Sequence, residues 1–239
     1  MRKTITVWCS GATGHFENIR VALVKWWVKV NALTKATDYK TVAKARLISN
    51  IFHPWVVLVP TLALAAYAAT SEPFECIKWT MAAFLPALLF PYLYAVIRSI
   101  LLSRKGTQQK PSRSLFRNEP KQLLIMSGLF GIPSVAILYY LGGPKNLIII
   151  ILGITAVMLV ISLINIIYRA SFHLAMVTSM LTALWFLFGA ASLVFLILLP
   201  ILGFSRCHLG EHTLVQILTG FFVGFLVGGT VFYGLGLVT

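Results

Sequence analysis

The chain has 239 residues, of which 59% are hydrophobic and only 11% charged, and its formal net charge is +14. A soluble domain carries about twice that charged share, and six acidic residues are too few to build a water-soluble surface. The composition therefore excludes an ordinary soluble domain. Because the basic residues gather in short stretches between apolar runs, they favour contact with anionic headgroups over nucleic-acid binding.

Residues 1–50 form a basic lead segment, with no short apolar core followed by small residues that would indicate a signal peptide. One helical stripe in this segment is apolar and includes two tryptophans; it comprises Ile19, Leu23, Trp26, Trp27 and Val30. This pattern predicts an amphipathic helix that lies in the membrane interface. A helix that packs on a soluble neighbour is the alternative. We therefore divide the chain into an N-terminal segment, 1–50, and a transmembrane domain, 51–239.

Five apolar runs in the domain have about the 20 residues that a membrane span needs, namely 52–70, 79–102, 122–142, 147–168 and 213–237. A sixth run, 174–204, is too long for one ordinary span and short for two, and Gly189-Ala190-Ala191-Ser192 in its middle suggests a hairpin. The predicted fold is an all-α polytopic transmembrane bundle with six or seven spans. The glycines of the last run allow close helix contact, and they are Gly220, Gly224, Gly228 and Gly229.

The distribution of Lys and Arg predicts the topology. The lead segment has nine of them and the 103–121 loop six, whereas loops 71–78 and 142–146 have one each. The positive-inside rule places the two basic segments in the cytoplasm. The chain is thus expected to be an integral protein of the cell membrane.

Polar side chains next to the spans form three clusters, which are functional candidates because ionisable groups there are costly. The first cluster is Lys110 and Arg117, the second is Arg169, Ser171 and His173, and the third is Ser205, Arg206, His208, Glu211 and His212. If 174–204 is a hairpin, all three clusters lie on one membrane face. If it is a single span, the second and third clusters lie on opposite faces and cannot cooperate.

This set of cations and histidines with almost no carboxylate suits phosphate chemistry. Arg and Lys can cradle a phosphate group, one histidine can attack phosphorus, and a second can protonate the leaving oxygen. The scarcity of acids argues against a magnesium-dependent phosphatase, which needs carboxylate ligands.

Three motifs resemble those of the type 2 phosphatidic acid phosphatase (PAP2) superfamily over residues 105–230. Ser205-Arg206-Cys207-His208-Leu209-Gly210-Glu211-His212 matches S-R-x5-H, Ala170-Ser171-Phe172-His173 is similar to P-S-G-H, and Lys110 to Arg117 has the spacing of K-x6-R-P, with Asn118 in the Pro position. The resemblance implies hydrolysis of lipid phosphates without a metal or other cofactor. It implies that His212 is the nucleophile and His173 the general acid. It also implies that the phosphate oxygens are held by Lys110, Arg117, Ser171 and Arg206.

Two departures from the family pattern leave alternatives open. Phe172 replaces the motif glycine, and Gln216 stands where the family has the Asp that orients the nucleophile. A Gln oxygen can fix the tautomer of His212 but cannot stabilise an imidazolium as a carboxylate does. The main hypothesis is a phosphatase for a lipid phosphate monoester or diphosphate that is phosphatidate-, phosphatidylglycerophosphate- or prenyl-phosphate-like. A catalytically weak protein that binds or moves an anionic lipid is the first alternative.

A metal site is the second alternative. His208 and His212 are four residues apart and would share a helix face, with Glu211 adjacent and His173 as a third ligand. The expected partners in all readings are membrane lipids and not nucleic acid.

Overall fold

The computed structural model describes residues 39–104 and 120–237, and every regular element in these two ranges is a helix. The elements are α1 (Tyr39–Ile51), α2 (Pro54–Thr70), α3 (Pro73–Arg104), α4 (Pro120–Tyr140), α5 (Lys145–Ile167), α6 (Phe172–Phe188), a 3₁₀ helix (Gly189–Ile197), α7 (Leu198–His208) and α8 (Leu214–Gly234). The predicted interfacial helix around Trp26 and Trp27 lies outside the described residues.

Six helical stretches in the described ranges are long and apolar enough to cross a membrane, which confirms the predicted all-α polytopic bundle. They are Thr41–Thr70, Pro73–Leu101, Lys121–Tyr140, Lys145–Ile167, Phe172–His208 and Leu214–Gly234. Helices suit the bilayer because their backbone polar groups pair within the segment, as the hydrocarbon core requires. The fifth stretch has 37 residues. Its path through the bundle determines whether the candidate residues near its two ends lie on the same face.

The stretch Phe172–His208 is a hairpin, as the sequence suggested. A straight helix of this length would extend about 55 Å. Yet His173 near its start contacts His53, and Arg206 near its end bonds to Ser49, four residues from His53. Helix α6 ends at Gly189, whose φ of 55° breaks the helix. The 3₁₀ helix and α7 then return the chain to the face on which α6 began, which we call the site face.

Helices α6 and α8 are parallel and pack closely through the glycines of α8. A Cβ added at Gly220 would lie 2.3 Å from the Ser171 carbonyl oxygen, and one at Gly224 would lie 2.2 Å from that of Ala175. A Cβ at Gly228 would meet the Ser179 hydroxyl at 2.9 Å. The predicted close approach is confirmed. Both helices therefore begin at the site face, each preceded by one of the candidate polar clusters.

Helices α4 and α5 form an antiparallel pair that brings a third element to this face. Ser127 of α4 lies 3.5 Å from Ser162 of α5, hydroxyl to hydroxyl, and a Cβ at Gly131 would collide with Thr155. Ser127 and Ser162 also donate to the carbonyls four residues earlier, which satisfies their hydroxyls inside the bundle. Helix α5 ends on the site face, next to the second cluster. Because α4 runs antiparallel to α5, α4 begins on that face.

Helix α1 packs across α7, a contact that the sequence did not predict. Its buried residues are Ala45 and Ser49, one turn apart, whereas Lys44 and Arg46 are exposed. The Ser205 hydroxyl of α7 donates to the Ala45 carbonyl at 2.5 Å. The last part of the lead segment is thus joined to the transmembrane domain.

Candidate functional site

Arg206 lies in the last turn of α7, and its guanidinium is buried at the site face. Nη1 donates to the Ser49 hydroxyl at 2.9 Å, and Nη2 forms an ion pair with the Glu211 carboxylate. A cation at the C-terminus of a helix is also favoured by the helix dipole. Arg206 is therefore held in one position by two elements, α1 and the turn after α7.

That turn connects Arg206 to His212 at the start of α8. Gly210 takes a φ of 66°, the left-handed conformation that suits a residue after a helix C-terminus, and the Glu211 N–H donates to the Arg206 carbonyl at 3.2 Å. His212 then directly precedes Thr213, the N-cap of α8. The five residues between Arg206 and His212 thus complete α7 and form the tight turn that leads to α8.

The second cluster meets the third through α6. Ser171 is fully buried and caps α6 by accepting from the Leu174 N–H at 3.5 Å, while its own N–H donates to the Gln216 carbonyl at 2.9 Å. His173 follows in the first turn of α6 and is partly exposed, as is His212. The Ser171 bond to Gln216 joins the start of α6 to the start of α8, and the His173 ring contacts that of His53, four residues after the Ser49 that bonds to Arg206. The two candidate histidines and the candidate arginine therefore share one site.

Gln216 has a structural contact that the sequence interpretation omitted. Its Oε1 accepts from the Thr213 N–H at 3.0 Å, and the Thr213 hydroxyl accepts from the Gln216 N–H at 3.4 Å. These two bonds form a capping box at the start of α8. That Gln216 also orients His212 stays a prediction.

Two helix N-termini open onto this site. Unpaired N–H groups and the positive end of the helix dipole make a helix N-terminus a favourable place for an anion. Helix α6 presents its N-terminus next to His173, and α8 presents its own next to His212. Together with the Arg206 guanidinium, these N-termini favour an anionic group near the two imidazoles.

The remaining candidates lie elsewhere or outside the described residues. Lys110 and Arg117 fall in 105–119, which the structure does not describe, although the helix that follows them begins on the site face. His208 stacks on Phe204 at a centroid distance of 3.6 Å, and its Nδ1 lies 3.1 Å from the Phe204 carbonyl oxygen. In the part of the chain that is described, no three His, Cys, Asp or Glu residues form a group that could hold a metal.

Three site residues were missed or interpreted differently from the sequence: Ser49, His53 and Glu211. Glu211 was considered only as a metal ligand, but it is the ion-pair partner of Arg206. His53 accepts from the Trp55 N–H at 3.4 Å as the N-cap of α2, and its ring also meets that of His173 edge to face, with centroids 5.0 Å apart. The position of His53 directly before Pro54 predicts a helix cap, which is confirmed, whereas nothing local indicated the ring contact.

No family model, curated protein or solved structure matches this chain. Its chemistry therefore has to be inferred from the residues of the site.

Proposed function

We propose that this protein hydrolyses a lipid phosphate monoester or diphosphate, without a metal ion, through a phosphohistidine on His212. The observation that carries the proposal is that His212, His173 and Arg206 lie at one end of the bundle, where Ser171 bonds to Gln216, Ser49 bonds to Arg206 and His53 contacts His173. Two partly exposed imidazoles beside a fixed guanidinium supply a nucleophile, an acid and a phosphate ligand. The two helix N-termini favour the same anionic group.

The first half of the reaction transfers the phosphoryl group to the protein. Arg206 binds the phosphate oxygens, and neutral His212 attacks phosphorus, so that an N–P bond forms while the P–O bond to the lipid breaks. His173 donates a proton to the departing alkoxide, which leaves as the lipid alcohol. In the second half a water gives its proton to His173 and attacks the phosphohistidine, which releases inorganic phosphate and leaves His212 neutral and His173 protonated, as at the start.

The ion pair of Arg206 with Glu211 supports an anion site at this guanidinium. A carboxylate and a phosphate are both oxyanions that bind the fork of an arginine. In the mechanism the substrate phosphate takes the place of Glu211 on Nη2, while Nη1 stays on Ser49. From the resemblance, Lys110, Arg117 and Ser171 would contribute further contacts to the phosphate.

The bilayer supplies the substrate in this proposal. A lipid phosphate diffuses in the leaflet on the site face and presents its headgroup at the depth where α6 and α8 begin. The basic residues of the lead segment and of the 103–121 loop favour a cytoplasmic position for this face and a cell-membrane location. Phosphatidate-, phosphatidylglycerophosphate- and prenyl-phosphate-like lipids are the expected substrates.

The decisive experiment is rapid quench of the purified full chain with ³²P-labelled lipid phosphates, with and without chelator. We expect an acid-labile phosphoprotein, lost in His212→Ala and retained in His208→Ala. His208 is the matched control because it lies in the same motif but stacks on Phe204. If the wild-type chain releases no phosphate from any lipid of the panel, the proposal is refuted.

A second candidate function is the binding or movement of an anionic lipid with slow or no catalysis. It is favoured by Gln216, which carries no charge and whose Oε1 already accepts from Thr213. The imidazolium form of His212 then lacks a partner carboxylate at that position. Saturable binding of the labelled lipids without phosphate release would support this function over the first.

A further inference from the structure

The segment Ala45–His53 precedes the part of the chain that carries the three motifs, yet it contacts two residues at the centre of the site. Ser49 meets Arg206, and His53 meets His173. Ser49 lies in the last turn of α1, and His53 lies in the short break between α1 and α2. One small structural unit therefore touches both the proposed phosphate ligand and the proposed acid.

The contact to Arg206 is buried and well supported. Ser49 is 5% and Arg206 9% exposed, and the distance from Nη1 to the Ser49 hydroxyl is 2.9 Å. One turn earlier on α1, the Ala45 carbonyl accepts from Ser205, the residue before Arg206. A free arginine side chain has many rotamers. Here its guanidinium is fixed by a helix that is itself bonded to the arginine's own helix.

The contact to His173 is set by the cap of α2. Because Nδ1 of His53 accepts from the Trp55 N–H at 3.4 Å, the neutral ring carries its proton on Nε2. Pro54 follows directly and starts α2, so the backbone of His53 is held at the start of this helix. Its plane is perpendicular to that of His173, at a centroid distance of 5.0 Å. This arrangement limits the directions in which His173 can turn.

We propose that Ser49 and His53 are positioning residues of the site, acting through Arg206 and His173 respectively. Ser49 fixes the guanidinium for phosphate binding, and His53 fixes the imidazole that protonates the leaving oxygen. The inference rests on the proposed function, since it assigns these two side chains to the same reaction.

The test separates the two residues by their kinetic effects. Ser49→Ala raises KM about tenfold with little change in kcat, because the bond that orients a charged group is lost before chemistry begins. Ser49→Thr keeps the hydroxyl and restores KM. His53→Asn keeps an N-cap, since Asn is favoured there, but loses the ring contact. It lowers kcat about tenfold with KM within about twofold.

Asn50→Ala is the matched control, because Asn50 is an exposed residue beside Ser49 on the same helix, and it leaves both constants unchanged. Unchanged constants in Ser49→Ala or His53→Asn overturn the role of that residue. The inference is also overturned if Asn50→Ala loses as much activity as these variants. It is likewise overturned if Ser49→Ala lowers kcat and His53→Asn raises KM instead.

A second measurement distinguishes failure of this inference from failure of the proposed function. Inorganic phosphate should raise the unfolding temperature of the wild-type protein in detergent, and the shift should be smaller in Ser49→Ala than in Asn50→Ala. If the wild-type chain hydrolyses no lipid but shows this pattern, the proposed function fails and the role of Ser49 in an anion site stands. If the wild-type chain hydrolyses no lipid and phosphate shifts neither the wild-type protein nor the variants, both fail.

Discussion

Substitution of Gly220 by Ala should disturb the site by steric means alone. The added Cβ would lie 2.3 Å from the Ser171 carbonyl oxygen and 3.2 Å from its carbon, both backbone atoms that no side-chain rotation can move. Ordinary C···O contacts begin near 3.3 Å, so α8 and the start of α6 must separate by about 1 Å at this level. The nearby bond from the Ser171 N–H to the Gln216 carbonyl, 2.9 Å long, would then stretch beyond hydrogen-bonding distance.

The expected cost follows from these numbers. Overpacking of this kind destabilises by about 1–3 kcal/mol, which should appear as a lower unfolding temperature in detergent. A displacement of about 1 Å between His173 and His212 should lower phosphatase turnover up to about 100-fold. The stability effect depends on packing alone, whereas the effect on turnover also depends on the proposed function.

Gly229→Ala on the same helix is the matched control. Its Cβ would have Thr182 Cγ2 at 3.8 Å as its nearest neighbour, an ordinary contact. Removal of a helix glycine stabilises by about 0.5–1 kcal/mol, so its unfolding temperature should stay equal or rise. A Gly220→Ala protein with the stability of the wild type would refute the steric reasoning.

Three further predictions concern charge and topology. Glu211→Gln should increase the affinity for inorganic phosphate severalfold, measured by competitive inhibition, because the carboxylate no longer competes for Arg206; weaker inhibition would contradict this. Gln216→Asp should raise the single-turnover rate severalfold if the lack of a carboxylate beside His212 limits phosphoryl transfer. An unchanged rate would show that this missing charge is not limiting. In a cysteine-free background, a cysteine at Ala190 should react with an impermeant maleimide from the membrane side opposite to one at Arg169; labelling of both from the same side would contradict the hairpin.

The spans and the hairpin could be predicted from the sequence because their signals are local. Runs of about 20 apolar residues define spans without reference to the rest of the chain, and Gly189 sits where one run is too long for a single crossing. The close contact of α8 followed in the same way from glycines four residues apart. Each of these features is encoded within one segment.

The contribution of α1 to the site could not be predicted, because it is encoded in two distant segments. Nothing in Thr41–Ile51 marks Ser49, whose partner Arg206 comes 157 residues later. Gln216 is a different case. Thr213 and Gln216 have the T-x-x-Q spacing of a capping box, which is a local signal, but the resemblance to a motif drew attention to a catalytic role instead. The residues 105–119, with Lys110 and Arg117, keep their assignment as a prediction.

The 3₁₀ conformation of Gly189–Ile197 sets the length of the arm that leads from the turn at Gly189 back to Arg206. A 3₁₀ helix rises about 2.0 Å per residue and an α-helix about 1.5 Å. Over the nine residues of this stretch, the difference lengthens the return arm by about 4–5 Å, close to one α-helical turn. Conversion of this stretch to α-helix would draw the guanidinium down toward the acyl chains and away from His173. The secondary-structure type of a remote apolar segment thus works as a spacer that sets how far Arg206 lies from the turn at Gly189.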